Sequence, residues 1–237
     1  MPRATPSRGW YAAGLIAAAV LLAPCGPAAA AAPTIPSARP KTAQAAPAER
    51  HPVVVKGFRS AHFGMTETEV RRAISTDFHL SGKAIHQSEN PVQRTHLLGI
   101  TVPNVLPNGG KARIEYVFGF KSHTLIEVEL TWSAATDPTL KPPTLVRNGQ
   151  LLQSYFLGEG FAPHRFAANV MLANGSMLML RGRDAAGHAV VLTLAGTVNR
   201  NDKARPRTIT LDPTTLSLDY IANPTHPDVF RLRKGTF

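Results

Sequence analysis

Three glutamates in two neighbouring predicted strands are the residues whose spacing could support chemistry. Glu115 lies in "ARIEYVFGF", and Glu127 and Glu129 lie in "TLIEVELTW". Paired carboxylates suit general acid–base catalysis or the binding of a hard cation such as Ca²⁺. A solvated sheet face, neutralised in part by Arg113, explains the same pattern without a site. We predict the solvated face, and we keep Glu115 and Glu129 as the pair to test because like charges directly opposite each other destabilise a sheet.

The other residue types that commonly carry chemistry show no supporting pattern. Alternation about a two-residue turn at Asn174–Gly175 puts Met171 on the face opposite Met177 and Met179, so we predict core packing for all three methionines rather than a copper site. The nine histidines have no metal-ligand spacing. No serine elbow, phosphate loop or dinucleotide fingerprint occurs. We therefore predict no catalytic residue, no metal and no cofactor.

The acidic residues are positioned by a predicted hairpin whose strands alternate large apolar with polar residues. Joining the strands through a three-residue loop, "KSH", places every large hydrophobic residue on one face, whereas a slip of one residue mixes the faces. The predicted opposite pairs are Phe118 with Ile126, Tyr116 with Val128, and Ile114 with Leu130. In this register Glu115 faces Glu129, and Glu127 shares their face.

Further strands and two helices complete the predicted fold. "FAANVML" and "MLMLRGRD" flank an Asn-Gly turn, "HAVVLTLAG" adds a third strand, and "TITLDPTTLSLDYI" adds one or two more. The segment "NGQLLQSYFLG" predicts a helix with Leu151, Leu152, Tyr155 and Phe156 on its apolar face and Gly158 at its end. The fold class is α+β, a largely antiparallel sheet of about six to eight strands with two helices packed on one face.

The stretch "AHFGMTETEVRRAI" predicts the start of the first helix. Thr66 as N-cap and Glu69 at the third helical position form a capping box, and Met65 and Val70 have the spacing of a hydrophobic staple. Gly64 supplies a backbone angle that other residues resist. An anion site at this helix start is the alternative, but Thr66 and Glu69 already use the free amides there. We predict a structural role for these five residues.

The same stretch carries a resemblance to a known family. "FGMTETEV" is similar to the Gly-Met-Thr/Ser-x-x-Glu-Val start of the first helix in small bacterial envelope proteins of the BamE (SmpA/OmlA) type and in proteins shaped like β-lactamase inhibitory protein. The wider sequence also resembles uncharacterised exported proteobacterial proteins. The resemblance implies helices packed against an antiparallel sheet, and a function exercised through protein contacts rather than catalysis.

The pattern of the first 51 residues is typical of an export signal followed by a linker, and it does not indicate a folded domain. Arg3 and Arg8, a small-apolar run from Ala12, and an Ala-rich cleavage site near Ala30 are typical of a signal peptide over residues 1–30. Residues 31–51 are rich in Pro and Ala and predict a disordered tether. Pro24 before Cys25 departs from a lipobox, which argues against a lipid anchor. We predict one α+β domain over residues 52–237, in the periplasm or secreted.

The formal net charge of +11 favours anionic partners. The basic residues are spread along the chain without a basic helix or interleaved aromatic residues, which argues against nucleic-acid binding. We predict a non-enzymatic exported protein that binds an envelope protein or an anionic envelope component through one sheet face or its basic edge. The alternative is an envelope hydrolase, or a small-ligand or metal-binding protein, that uses the face of Glu115, Glu127 and Glu129.

Overall fold

A computed structural model describes residues 52–199, 210–232 and 235, so the predicted signal peptide and tether lie outside the described residues. The helices are α1 (Glu67–Phe78) and α2 (Pro142–Glu159). The strands, in chain order, are β1 (Gly57–Phe58), β2 (Ala61–His62), β3 (His86–Asn90), β4 (Thr95–Val102), β5 (Ala112–Phe118), β6 (Leu125–Ser133), β7 (Phe166–Met171), β8 (Met177–Arg183), β9 (Ala189–Asn199) and β10 (Thr210–Ile221).

Eight strands form one antiparallel sheet in the order β3-β4-β5-β6-β10-β9-β8-β7. The sheet consists of two four-stranded meanders, each preceded in the chain by a helix, and their last strands pair at β6 and β10. β1 and β2 form a separate small hairpin. The predicted α+β fold with a largely antiparallel sheet is confirmed.

The core lies on one face of the sheet, which we call the helix face. Alternate strand residues such as Ile114, Leu130 and Leu192 are fully buried there. Both helices and the β1–β2 hairpin contribute to the same core. The opposite face, which we call the open face, carries the intervening residues, and most of these are polar.

The start of α1 has the predicted structure. The Thr66 amide donates to Glu69 Oε2 at 2.8 Å, and the Glu69 amide donates to Thr66 Oγ1 at 3.5 Å, so the capping box is confirmed. Gly64 has a φ of 84°, in the left-handed region that glycine tolerates. Val70 is fully buried and Met65 packs against the core.

The prediction for α2 is wrong at both ends and in part of its buried face. The helix begins at Pro142, because proline fits the first helical turn, and it ends at Glu159 with Gly160 in the left-handed conformation. Leu152 and Phe156 are buried as predicted, but Leu151 is 50% and Tyr155 61% exposed.

The close approach of the Gly149 backbone to the Met179 side chain, together with a hydrogen bond from Asn148, explains the rotation of α2 about its axis. A Cβ on Gly149 would lie only 2.6 Å from the Met179 sulfur, so α2 approaches β8 at its glycine. The buried Asn148 side chain donates from Nδ2 to the Gly109 carbonyl at 2.8 Å. These two contacts turn residues 148, 149, 152 and 156 inward, and they leave residues 151 and 155 outside.

Both predicted hairpins needed correction at their turns. Tyr116 pairs with Val128 and Ile114 with Leu130, as predicted, but Phe118 pairs with Leu125 rather than Ile126 across a bulge. The connection spans residues 119–124 instead of three residues.

The turn between β7 and β8 has three residues instead of two. The Leu172 amide donates to the Ser176 carbonyl at 2.8 Å, with Gly175 at a φ of 84°. Met171 therefore lies opposite Met177 and shares its face. Met179 is buried and Met177 packs against the core, but Met171 is 46% exposed, so core packing is wrong for Met171.

Candidate binding sites

The three predicted acidic residues lie together on the open face, and a fourth carboxylate joins them. Glu115 on β5 is directly opposite Glu129 on β6, and Glu129 is directly opposite Asp219 on β10. Glu127 lies two residues from Glu129 on the same face, opposite Val117 and Ile221. Four carboxylates therefore occupy three adjacent strands.

The carboxylates are not a fully solvated face. Burial, followed by the charges of Glu129 and Glu127, raises the pKa of Asp219 to about 8. Burial and the Glu129 charge raise the pKa of Glu127 to about 7. Asp219 Oδ1 is buried and has no hydrogen-bond partner within the described chain. These two groups therefore bind their protons at a higher pH than ordinary carboxylates do.

The two other acids of this face each have a polar neighbour. Arg113 Nη2 lies 2.7 Å from Glu115 Oε1, as the sequence analysis anticipated, and Thr131 donates its hydroxyl to Glu129 at 2.9 Å. Within the described part of the chain, no group of three His, Cys, Asp or Glu side chains is placed to hold a metal ion. The pocket beside Glu127 measures about 160 Å³, below the usual range of small-molecule sites.

A larger polar cleft lies at the β7–β8 side of the sheet, and we call it the basic cleft. It measures about 500 Å³ and is formed by the turn before β7, the end of β8 and the β8–β9 turn. Its basic side chains are those of His164, Arg165, Arg181 and Arg183. Arg181 and Arg183 lie opposite Val191 and Ala189 of β9, so they share the open face with the acidic residues.

The basic cleft retains an excess of positive charge. Its one acid, Asp184, is 4% exposed and accepts from the Val55 and His188 amides, each at 2.9 Å. Arg165 Nη1 donates to the Asp184 carbonyl at 2.8 Å. Arg183 Nε is buried and has no hydrogen-bond partner in the part of the chain that the structure describes. Among the described residues, no carboxylate lies within 4.0 Å of the three arginine side chains. Guanidinium groups in this state are suited to phosphate or carboxylate ligands.

Asp219 and the arginines of the basic cleft were not among the residues predicted from the sequence. Strand alternation in "LSLDYI" and "LRGRD" places these residues on a polar face, which is a usable signal. The pairing of β6 with β10 brings Asp219 to Glu129, and that pairing joins segments about 90 residues apart. No local pattern predicts such a pairing.

Comparisons with protein-family models, with curated proteins and with solved structures found no match to this chain. In the part of the chain that the structure describes, neither helix has the length and apolar character needed to cross a membrane.

Proposed function

We propose that this protein is an exported, non-enzymatic binding protein of the bacterial envelope that holds an anionic envelope component in the basic cleft. The main support for this proposal is that three arginines of the cleft have no carboxylate partner among the described residues. They are Arg165, Arg181 and Arg183. The predicted signal peptide supports the location. The resemblance of the α1 start to envelope proteins that act through protein contacts supports binding over catalysis.

The ligand chemistry follows from the guanidinium group. Its planar fork matches two oxygens of a phosphate or carboxylate, and charge-assisted hydrogen bonds are about twice as strong as neutral ones. Arg181 and Arg183 project from one strand to the same face, so their forks can hold one ligand group between them. A phosphate-bearing headgroup or glycan is the proposed ligand.

Binding to two probes tests the cleft. Inorganic pyrophosphate is titrated by calorimetry, and vesicles of phosphatidylglycerol are compared with neutral phosphatidylcholine vesicles by cosedimentation. The double substitution Arg181→Ala/Arg183→Ala is expected to weaken binding about tenfold or more, because each lost charge-assisted bond contributes about 1.5–3 kcal/mol. Binding that involves exposed charges also weakens as salt is added.

The matched control removes the same charge from α1. Arg71→Ala/Arg72→Ala alters an adjacent arginine pair remote from the cleft, and Arg71 is already paired with Glu67 at 2.8 Å. Binding in this control is expected to match the wild type. Equal losses in the two double variants would assign the attraction to diffuse charge and contradict a site in the cleft.

Export is tested with the full chain. Expression in a Gram-negative host, followed by fractionation and intact-mass measurement, is expected to give a periplasmic product that begins near Ala31 and lacks Cys25. A cytoplasmic full-length product, or a lipidated Cys25, would contradict this part of the proposal.

A second candidate function is acid–base hydrolysis at the acidic face, favoured by the proton-holding Asp219 and Glu127. A carboxyl with a raised pKa beside a second carboxyl, Glu129, has the arrangement of an acid–base pair. Hydrolysis of envelope glycan that disappears in Asp219→Asn, with folding intact, would support this candidate. Bound metal in native mass spectra, lost on the same substitution, would instead support metal binding.

A further inference from the structure

An apolar cleft lies on the helix face, on the side of the sheet opposite the basic cleft. It opens between the β1–β2 hairpin and α2 and measures about 580 Å³, within the usual 300–1,000 Å³ of small-molecule sites. Its floor is formed by residues of β6 and β10, including the fully buried Trp132. Leu151 and Tyr155, two of the exposed apolar residues of α2, lie at its mouth.

Among the described residues, the one charged residue in the lining is Arg59, in the turn between β1 and β2. Its guanidinium carbon lies 4.7 Å from the centre of the Phe78 ring and 5.6 Å from that of Phe58, so two aromatic rings hold it in place. Nη1 donates to the Asp77 carbonyl at 3.4 Å. Within the described chain no carboxylate lies within 4.0 Å of Arg59. The cleft is therefore apolar with one positive charge at its edge.

An acidic residue in a neighbouring pocket limits where a negatively charged ligand group can bind. A smaller neighbouring pocket of about 210 Å³ shares Arg59 and Tyr155 but also includes Glu159. An anion in the smaller pocket would meet the negative charge of Glu159. Glu159 does not line the larger cleft, where Arg59 is the charged residue among the described lining residues.

We propose that the apolar cleft binds a single-chain carboxylate amphiphile, a fatty acid, with its alkyl chain over Trp132 and its carboxylate at Arg59. Burial of an alkyl chain contributes roughly 0.8 kcal/mol for each methylene group removed from water. An extended peptide fits less well, because its backbone N–H and C=O groups need partners when buried and the lining is almost wholly apolar side chains. The proposal does not depend on the basic cleft.

Trp132 provides a direct reporter of occupancy. The chain contains two tryptophans, and the other, Trp10, lies in the predicted signal peptide. The protein from residue 31 onward therefore has a single indole, on the floor of the cleft. Dibromostearate added below its micelle concentration is expected to quench Trp132 fluorescence in a saturable manner, and unbrominated stearate is expected to reverse the quenching by competition.

Two substitutions test the two parts of the ligand. Arg59→Ala is expected to weaken oleate binding about fivefold or more while leaving the affinity for oleyl alcohol, the same chain with an uncharged head, unchanged. Arg94→Ala is the matched control, because Arg94 also stacks on a ring, 4.0 Å from the centre of Phe230, but does not line the cleft. Oleate binding in Arg94→Ala should match the wild type.

Tyr155→Glu places a negative charge at the mouth at a position 61% exposed, where folding tolerates substitution. It is expected to abolish binding of both oleate and oleyl alcohol, with an unchanged circular dichroism spectrum. Three results would overturn the proposal: no quenching of Trp132 by the brominated chain, equal quenching in Tyr155→Glu, or equal loss of oleate and alcohol affinity in Arg59→Ala. Absence of quenching would leave the cleft to a protein partner.

Discussion

At the scale of single residues, Asp219 and Glu127 are unusual because the fold raises their pKa values, and neither forms an ion pair with a described residue. Arg113, the nearest basic residue on β5, is paired with Glu115 instead. A buried acid in this state is neutral in the folded protein and ionises only at a cost. The acidic face therefore couples stability to pH.

The first prediction follows from the sign of these shifts. The pKa of Asp219 rises from 3.8 to about 8, and that of Glu127 from 4.5 to about 7. The resulting stability is fully present below the unfolded values near pH 4 and is lost as the pH rises to about 8. We expect the melting temperature to fall by roughly 5 °C or more between pH 5 and pH 8. Thermal unfolding followed by circular dichroism measures it.

Two variants separate this effect from the titration of other groups. Asp219→Asn removes the largest shift, so its melting temperature should change much less between pH 5 and pH 8. Glu115→Gln, the matched control, removes an acid that is already paired with Arg113 and should keep the wild-type slope. An unchanged slope in Asp219→Asn would show that Asp219 ionises normally.

The second prediction concerns the cap of α1. Thr66→Ala removes the side chain that accepts from the Glu69 amide and is expected to lower the free energy of unfolding by about 1 kcal/mol. Binding of pyrophosphate and oleate should not change, because Thr66 lines neither cleft. Urea titration and calorimetry measure the two quantities. Lost binding in a folded Thr66→Ala protein would return this turn to the candidate sites.

Residues with local roles were predictable, whereas residues with long-range roles were not. The capping box needs only four consecutive positions, so the sequence was sufficient for Thr66 and Glu69. Arg59 becomes the edge of a cleft because a two-strand hairpin packs beside α2, almost 90 residues later in the chain. Its neighbours in sequence do not indicate this contact.

At the scale of elements, α2 separates two neighbouring leucines into different environments. Leu152 is 9% exposed and belongs to the core, whereas Leu151 is 50% exposed at the mouth of the apolar cleft. The predicted apolar face of the helix included both leucines, because their hydrophobicity and spacing alone do not show which of the two points to the core. Gly149 and Asn148 decide the rotation through contacts with β8 and the β4–β5 loop.

The third prediction uses these adjacent leucines as a matched pair. Leu152→Ala is expected to lower the free energy of unfolding by about 2–4 kcal/mol, because it leaves a cavity in the core. Leu151→Ala should change stability by less than about 0.5 kcal/mol. It should weaken oleate binding, since it removes apolar surface at the cleft. Similar destabilisation by both substitutions would contradict the observed orientation of α2.

Strand alternation was a good guide within strands and a poor one at their ends. The register of β5 on β6 followed from the apolar pattern as far as Tyr116 and Val128, and the bulge before Phe118 then changed the pairing. Met171 and Met177 were predicted on opposite faces, but an extra residue in the turn between β7 and β8 places them on the same face. One residue changes the face of every side chain that follows, so turn length is the limiting unknown.

At the scale of the whole molecule, two helix-plus-meander halves share one core. The seam between them is the pairing of β6 with β10, and Leu218 lies at its centre, opposite Leu130 of the first half and Leu192 of the second. All three side chains are almost fully buried. The fold class was predictable from the number and alternation of strands. The seam was not, because nothing local specifies which meander edges meet.

The fourth prediction is that the two halves unfold together. Trp132 lies opposite Leu216 at the seam, so its fluorescence reports the contact between the halves, whereas far-ultraviolet circular dichroism reports the secondary structure of both. If the halves unfold together, the two urea transitions should coincide. Leu218→Ala should move both transitions equally, by about 2–5 kcal/mol. Thr193→Ala, an open-face control on β9, should leave both near the wild-type position. Separate transitions would show that the halves are independent units.

The seam also sets the order in which the structure can be completed. β6 ends at Ser133, and its partner β10 begins at Thr210, so the second half must be produced before one edge of β6 is covered. Closing so long a loop costs conformational entropy before the contacts between β6 and β10 can form and stabilise it. Folding rates fall as such non-local pairings increase. During synthesis the first half therefore presents an uncovered strand edge, which is the period when a holding chaperone would protect this chain from aggregation.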